Sequence, residues 1–299
     1  MSPLRLATRR SPLAVTQAER VVARLASCGV ATELVLVETG GDQRDDVPLA
    51  VIGGEGVFAV EVQRAVLHGE ADVAVHSAKD LPAVTPKGLV WVGVCERGDA
   101  ADVLVGRSLA GLGPGATVAT GSPRRRALLL ERRPDLRVVE LRGNMARRLA
   151  AAGADGVDAV VAAAAALERL GESHRVAERL DPAWFVPQVG QGAIALEARV
   201  NDAATLDHLA EVLDVAATTA VRAERAFLRE LGTGCSIPAG AHATVREDVI
   251  TLRAAMVARD GGASVRDEVS GGDPDVLGRL LAKRLRDERG GADLPGWRD

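Results

Sequence analysis

The chain has 299 residues, too many for one ordinary hydrophobic core and enough for two or three domains. Hydrophobic residues make up 47% and charged residues 26%, a normal globular balance, and the net charge of −4 lacks the basic excess of a nucleic-acid binder. Aromatic residues are only 2%, with no Tyr, so the cores must be packed from Val, Leu and Ala and few rings exist for base stacking.

The first third alternates strand and helix. Leu4 to Thr8 reads as a short strand, and Ser11-Pro12 opens a helix to about Ser27, with Ser suited to the N-cap and Pro to the first helical position. Thr32 to Glu38 alternates as a strand, Val57 to Leu67 has helical spacing, and Asp72 to His76 and Leu89 to Cys95 read as buried strands. The middle third repeats this grammar. Asp102 to Val105, Thr117 to Thr120, Val138 to Leu141 and Asp158 to Val161 are predicted strands, with helices from Ser122-Pro123 to about Arg133 and from Asn144 to Ala152. Strands alternating with helices imply βαβ units and a mainly parallel sheet. After Pro187, Ala193 to Ala198 reads as a strand rejoining the first domain. Helices follow at about Ala203–Leu213 and Thr218–Glu230. Strands Val249 to Ala258 and Ala263 to Val269, then a helix from Pro274 to about Glu288, form a smaller α+β domain, and the tail Gly290 to Asp299 reads as mobile. Linkers are placed at Glu96–Asp99 and Val186–Gly192.

Met1 to Ser11 carries Arg5, Arg9 and Arg10 and no apolar stretch of the secretory type, and the longest apolar run, Ala159 to Leu167, is far short of the ~18–20 residues that span a bilayer. Cys28, Cys95 and Cys235 form no CxxC pair, which argues against a disulfide framework or a zinc site. The expected compartment is the cytoplasm.

Three constellations could carry chemistry. Nine arginines lie between Ala119 and Arg148, against the acids Glu131, Asp135 and Glu140, a local balance of +6. Arg124 and Arg125 fall in the first turn of a predicted helix, the unfavourable end of its dipole, where an anionic ligand would offset their cost. Arginine matches carboxylates bidentately. A solvated helix face is the reading for Arg132, Arg133 and Arg137. Secondly, His76-Ser77-Ala78-Lys79-Asp80-Leu81-Pro82 ends a predicted strand, and Lys79 is one of only three lysines among 37 basic residues. Two readings fit Asp80: a cap on the turn before Pro82, or a carboxylate that protonates a leaving amine or stabilises a developing cation. His76 reads as a core histidine. Thirdly, Gly232-Thr233-Gly234-Cys235-Ser236-Ile237-Pro238 places a cysteine on a glycine-flanked loop. It is either an inert loop cysteine or a nucleophile, and no histidine is placed beside it as a base.

These sites in this order resemble porphobilinogen deaminase (hydroxymethylbilane synthase). The resemblance runs from about Leu4 to Lys283 through Ala7-Thr8-Arg9-Arg10-Ser11-Pro12-Leu13-Ala14, His76 to Pro82, Ser122-Pro123-Arg124-Arg125, Leu141-Arg142-Gly143-Asn144, Val189-Gly190-Gln191-Gly192-Ala193 and Glu224-Arg225 through Pro238. It implies an α/β fold: two periplasmic-binding-protein-like α/β domains flanking a cleft, residues 1–96 with 193–212 and residues 99–187, plus a smaller C-terminal α+β domain, residues 215–299. It implies a transferase joining four porphobilinogen molecules head to tail into hydroxymethylbilane with loss of ammonia. A dipyrromethane cofactor would hang by a thioether from Cys235, gripped by Lys79, Asp80, Ser122, Arg124, Arg125 and Arg142. Asp80 and Lys79 would be the catalytic pair. Arg9, Ser11, Thr120, Arg142, Arg148 and Arg169 would hold substrate carboxylates. No metal, nucleic acid or membrane is implied, and the resemblance suggests a monomer. The chain departs from the family pattern at Glu55, where a Lys is common, at Gly121, where a second serine is frequent, and at Thr233 and Ala239. A rival reading from another class is a two-domain anion-binding protein or regulator effector module, which would need neither Asp80 beside Lys79 nor the loop cysteine.

Overall fold

The computed structural model describes residues 2–40, 56, 58–154, 156–232 and 237–297. They divide into two compact units: Met1–Gly98 with Gly192–Thr218, and Asp99–Gln191 with Thr219–Asp299.

The first unit is built on β1 (Leu4–Arg9), α1 (Pro12–Ser27), β2 (Thr32–Val37), α2 (Val60–Leu67), β3 (Val73–Ser77) and β4 (Leu89–Arg97), joined later by β10 (Ala193–Arg199). The sheet order is β2-β1-β3-β10-β4, with β1 parallel to both its neighbours and β10 antiparallel to β3 and β4. Leu6, Val73, Val75, Ile194 and Leu196 pack against Ala18, Val21 and Leu25 of α1 on one face, while Ala7 and Ala74 pack against Val62 and Val66 of α2 on the other. Both faces are covered, so the strands read as near-continuous apolar runs rather than strict alternation. Gly93, at φ +155°, has Leu213 and Thr218 so close that an added Cβ would lie 3.0 and 2.9 Å from them.

The second unit repeats the plan. β5 (Asp102–Val105), β6 (Thr117–Ala119), α3 (Pro123–Arg132), β7 (Arg137–Val139), α4 (Met145–Ala151), β8 (Ala159–Ala163), α5 (Ala164–Arg169) and β9 (Val176–Arg179) give a sheet of order β7-β6-β8-β5-β9. β6 runs parallel to β7 and β8, and β5 antiparallel to β8 and β9. Each sheet thus takes its antiparallel fourth strand from chain that has just left the other. α6 (Ala203–Ala210) and α7 (Val215–Leu231) follow β10. The meander β11 (Ala239–Arg246), β12 (Val249–Val257), β13 (Ser264–Gly271) and the helix α8 (Pro274–Lys283) then complete the smaller α+β part. Ala255 and Val257 of β12 share one core with Leu128 and Leu129 of α3 and with Phe185. Glu131 on α3 accepts from Ser264 Oγ at 2.6 Å and pairs with Arg266.

Four features differ from the sequence reading. β9, α5 and β11 were not predicted: β9 and β11 are rich in Ala, Gly, Arg and Glu, and α5 is an alanine run whose helix has no side-chain cap. The last helix ends at Lys283 and continues as one π turn, Arg284–Glu288. The segment 290–297 is not loose. Trp297 Nε1 donates to Val257 O at 2.8 Å, and Arg259 Nε donates to Gly296 O at 2.9 Å. Arg133 is not simply solvated, since its Nη1 donates to Leu109 O at 3.0 Å and its Nη2 to Leu112 O at 3.2 Å.

Candidate active site

In the first unit the reactive-looking residues gather at the carboxyl ends of two parallel strands. β1 ends at Arg9, and Ser11 caps α1, its Oγ accepting from Ala14 N at 3.4 Å with Pro12 at the first helical position. β3 ends at Ser77 and passes into a single 3-10 turn, Ala78–Asp80, that carries Lys79 and Asp80. The Arg9 guanidinium lies 4.1 Å over the ring of Phe58, and its Nη1 lies 3.9 Å from Asp80 Oδ2. One guanidinium thus makes both a cation–π contact with a ring and a partly exposed ion pair with a carboxylate. Beneath the turn Ser77 Oγ donates to Gln17 Oε1 at 2.9 Å. His76 is buried, with Nε2 3.3 Å from Glu197 Oε2; that oxygen accepts from Gln63 Nε2 at 2.8 Å. His76 is therefore a core residue, as read, with a buried carboxylate as neighbour.

In the second unit Thr120 and Ser122 after β6 occupy the place that Arg9 and Ser11 hold after β1, and Arg142 follows the edge strand β7. Thr120 is buried, its Oγ1 accepts from Ser122 N at 3.2 Å, and Ser122 Oγ accepts from Arg125 N at 3.4 Å as the N-cap of α3. The Ser-Pro helix openings thus form the same cap in both sheets. Asn144 caps α4 by accepting from Arg147 N at 3.0 Å. Arg148 Nε donates to Gly143 O at 2.8 Å, which ties α4 to the Arg142 loop. Arg169 is buried at the end of α5. Cys235 and its neighbours Thr233 to Ser236 lie outside the described residues, as does Glu55.

Arg124 and Arg125 already meet one anion within the chain. Both are buried, and Asp102, fully buried at the start of β5, pairs with each. Arg124 Nη2 lies 2.8 Å from Asp102 Oδ2 and Arg125 Nη2 2.7 Å from Oδ1. Arg124 Nη1 also donates to Val186 O at 2.7 Å, and Arg125 Nη1 to Val161 O at 3.1 Å. Burial pushes the Asp102 carboxyl up, but the two guanidinium charges outweigh it and hold it below the usual carboxylate range. Asp102 had no role in the sequence reading. Its signal was a lone carboxylate opening the otherwise apolar strand Asp102–Val105.

Gly121 has a steric reason. A Cβ there would stand 2.8 Å from Leu141 O, inside contact distance. Gly121→Ser is expected to cost about 1–3 kcal/mol by displacing the Leu141–Gly143 loop, read as a lowered urea midpoint; an unchanged midpoint would show that the loop yields freely.

The family model described as porphobilinogen deaminase, dipyromethane cofactor binding domain, matches residues 4–207. The chain belongs to the porphobilinogen deaminase family. A second model, porphobilinogen deaminase, C-terminal domain, matches residues 218–287. The chain is similar to the porphobilinogen deaminase of Syntrophotalea carbinolica, 43% identical over 291 residues that cover 95% of this chain and 92% of that one. It is also similar to the porphobilinogen deaminase of Rubrobacter xylanophilus, 45% identical over 297 residues covering 98% and 96%. Among solved structures, the methionine binding protein MetQ aligns at 14% identity and TM-score 0.45 over 70% of this chain and 89% of that one. A periplasmic substrate-binding protein of an ABC transporter from Coxiella burnetii aligns at 17% identity and TM-score 0.43 over 70% and 91%.

The residues present suit the dipyrromethane group of porphobilinogen deaminases. Such a group carries acetate and propionate arms, and the described residues supply guanidinium donors. Arg142 Nη1 and Arg124 Nε are buried and have no hydrogen-bond partner among the described residues. An unmet buried donor on a charged group costs free energy that an arriving carboxylate can recover. Among the described residues no group of three or more His, Cys, Asp or Glu could hold a metal ion, and no helix is long and apolar enough to cross a membrane.

Proposed function

We propose that the chain joins four porphobilinogen molecules head to tail into hydroxymethylbilane, releasing ammonia at each coupling, as a transferase of tetrapyrrole and haem biosynthesis. The observation that carries this reading is the match of both family models in chain order. The dipyrromethane, attached by a thioether to Cys235, supplies when bound the pyrrole end to which each new ring is joined. Residues 1–96 with 193–212 form one domain, 99–187 a second and 215–299 a third, which carries the cysteine loop.

The side chains divide the work. Asp80, on the turn after β3, donates a proton as the amine leaves, faces the cation that develops, and takes up the ring proton after coupling. It lies 3.9 Å from the Arg9 guanidinium, beside the substrate arm that Arg9 holds. Lys79 adjoins it as a compact ammonium for cofactor carboxylates. Ser122, Arg124, Arg125 and Arg142 hold the cofactor. Arg9, Ser11, Thr120, Arg142, Arg148 and Arg169 hold the substrate carboxylates. The protein works in the cytoplasm as a monomer, with porphobilinogen as its small-molecule partner and without nucleic acid or membrane.

Intact-mass analysis of the purified chain tests this directly. The expected result is a mass above that of the polypeptide by one dipyrromethane, absent from Cys235→Ser. A bare polypeptide mass with no colour in Ehrlich's reagent sinks the reading.

A further inference from the structure

The buried cluster at the start of β5 does not balance its charge. Arg124 and Arg125 are 3% and 6% exposed, and among the described residues Asp102 is the one carboxylate that pairs with either. Two guanidinium groups against one carboxylate leave one positive charge in surplus. Buried surplus charge is costly, and burial pushes the Arg124 guanidinium down against the pull of Asp102.

A polar side chain with room to cancel that surplus is in place and does not do so. Gln191, fully buried, donates from Nε2 to Asp102 Oδ1 at 3.0 Å and to Ala100 O at 2.7 Å, while its Oε1 accepts from Arg125 Nη2 at 3.5 Å. A glutamate would bring a second negative charge to the pair but turn an oxygen on Asp102 Oδ1 and Ala100 O, both acceptors, so the site calls for a neutral group that donates on that side. The amide has the same shape and fixes Asp102 and Arg125 without neutralising either. It also ties the β5 entry at Ala100 to the segment that carries Gln191.

We infer that Gln191 is a positioning residue for cofactor capture: by staying neutral it orients the Arg124–Asp102–Arg125 cluster and leaves it one positive charge to meet a carboxylate of the dipyrromethane. This rests on the function proposed above, and its test separates the two. The parent chain, Gln191→Glu and Gln191→Met are purified in full and followed by intact mass and urea unfolding. In Gln191→Glu the oxygen that replaces Nε2 faces two acceptors, Asp102 Oδ1 and Ala100 O, and its charge opposes the surplus, so the urea midpoint falls and the fraction of chains carrying the dipyrromethane mass falls by at least about tenfold, the scale of one charge-assisted contact. Gln191→Met keeps the surplus but loses the hydrogen bonds that aim it, so the midpoint also falls while loading falls less than in Gln191→Glu. A purely structural glutamine predicts loading that follows the midpoint alone in both variants. A Gln191→Glu chain that loads like the parent, or a Gln191→Met chain that loads like the parent or no better than Gln191→Glu, overturns the inference. A parent chain without the added mass overturns the proposed function instead.

Discussion

Asp80→Asn is expected to lower kcat by roughly 100- to 10,000-fold, the range for removing a positioned acid–base group, and to leave the dipyrromethane mass in place. The reasoning is geometric. Asp80 sits in a turn of three residues at the carboxyl end of β3, its side chain 30% exposed, and it approaches the Arg9 guanidinium at 3.9 Å. A pair that open contributes no more than about 1 kcal/mol to folding, so the fold does not depend on the charge. Asparagine keeps the shape and removes both the proton-transfer capacity and the negative charge that would face a developing cation. Turnover of porphobilinogen measured beside the urea midpoint separates the two consequences. A variant with parental kcat would remove Asp80 from the reaction, and one with lost cofactor mass would move its role to cofactor retention.

Asp102→Asn is expected to have the largest effect on stability. Removing one member of a buried ion cluster leaves charge uncompensated and costs about 3–5 kcal/mol, here with both Arg124 and Arg125 left facing an amide. The pH dependence has a definite sign. The folded carboxyl lies below its ordinary value of 3.8, so its contribution is complete above the unfolded value and is lost as pH falls through the folded one. Asp72 acts in the same sense. Burial raises it, but hydrogen bonds from Arg5 and Arg199 bring it down to about 2. The parent should therefore lose stability progressively below about pH 4, and Asp102→Asn should show a shallower acid limb from a lower starting point. Urea midpoints taken near pH 7 and below about pH 4 compare the two. Equal slopes would mean that Asp102 does not titrate with unfolding.

Much of the chain is legible in the sequence because its signals are local. Ser11-Pro12 and Ser122-Pro123 open helices through short-range caps that any sequence of that form can make. The strand Asp102–Val105 has the predicted bounds. The turn after β3 announced itself through a lysine in a chain that otherwise uses arginine. The segments that escaped, β9 and β11, carry little apolar pattern of their own. β11 is a strand because β12 pairs with it from Ala239 to Arg246, and Gly240 is required because a Cβ there would meet Val186 O at 2.5 Å.

The sequence by itself determined the two alternations of strand and helix, the arginine-rich segment, the Lys79–Asp80 turn and the family to which these belong. Only the tertiary structure decided what the arginines do. Their number and their place on a helix N-terminus are local facts, whereas their partner, Asp102, is 22 and 23 residues away in the chain and Gln191 is 66 residues beyond Arg125. An ion pair at such separation leaves no periodic trace, because it depends on which strand the sheet order sets beside which helix. Folding thus turned two cations read as waiting for a ligand into a buried cluster that already holds one anion and has charge left for one more.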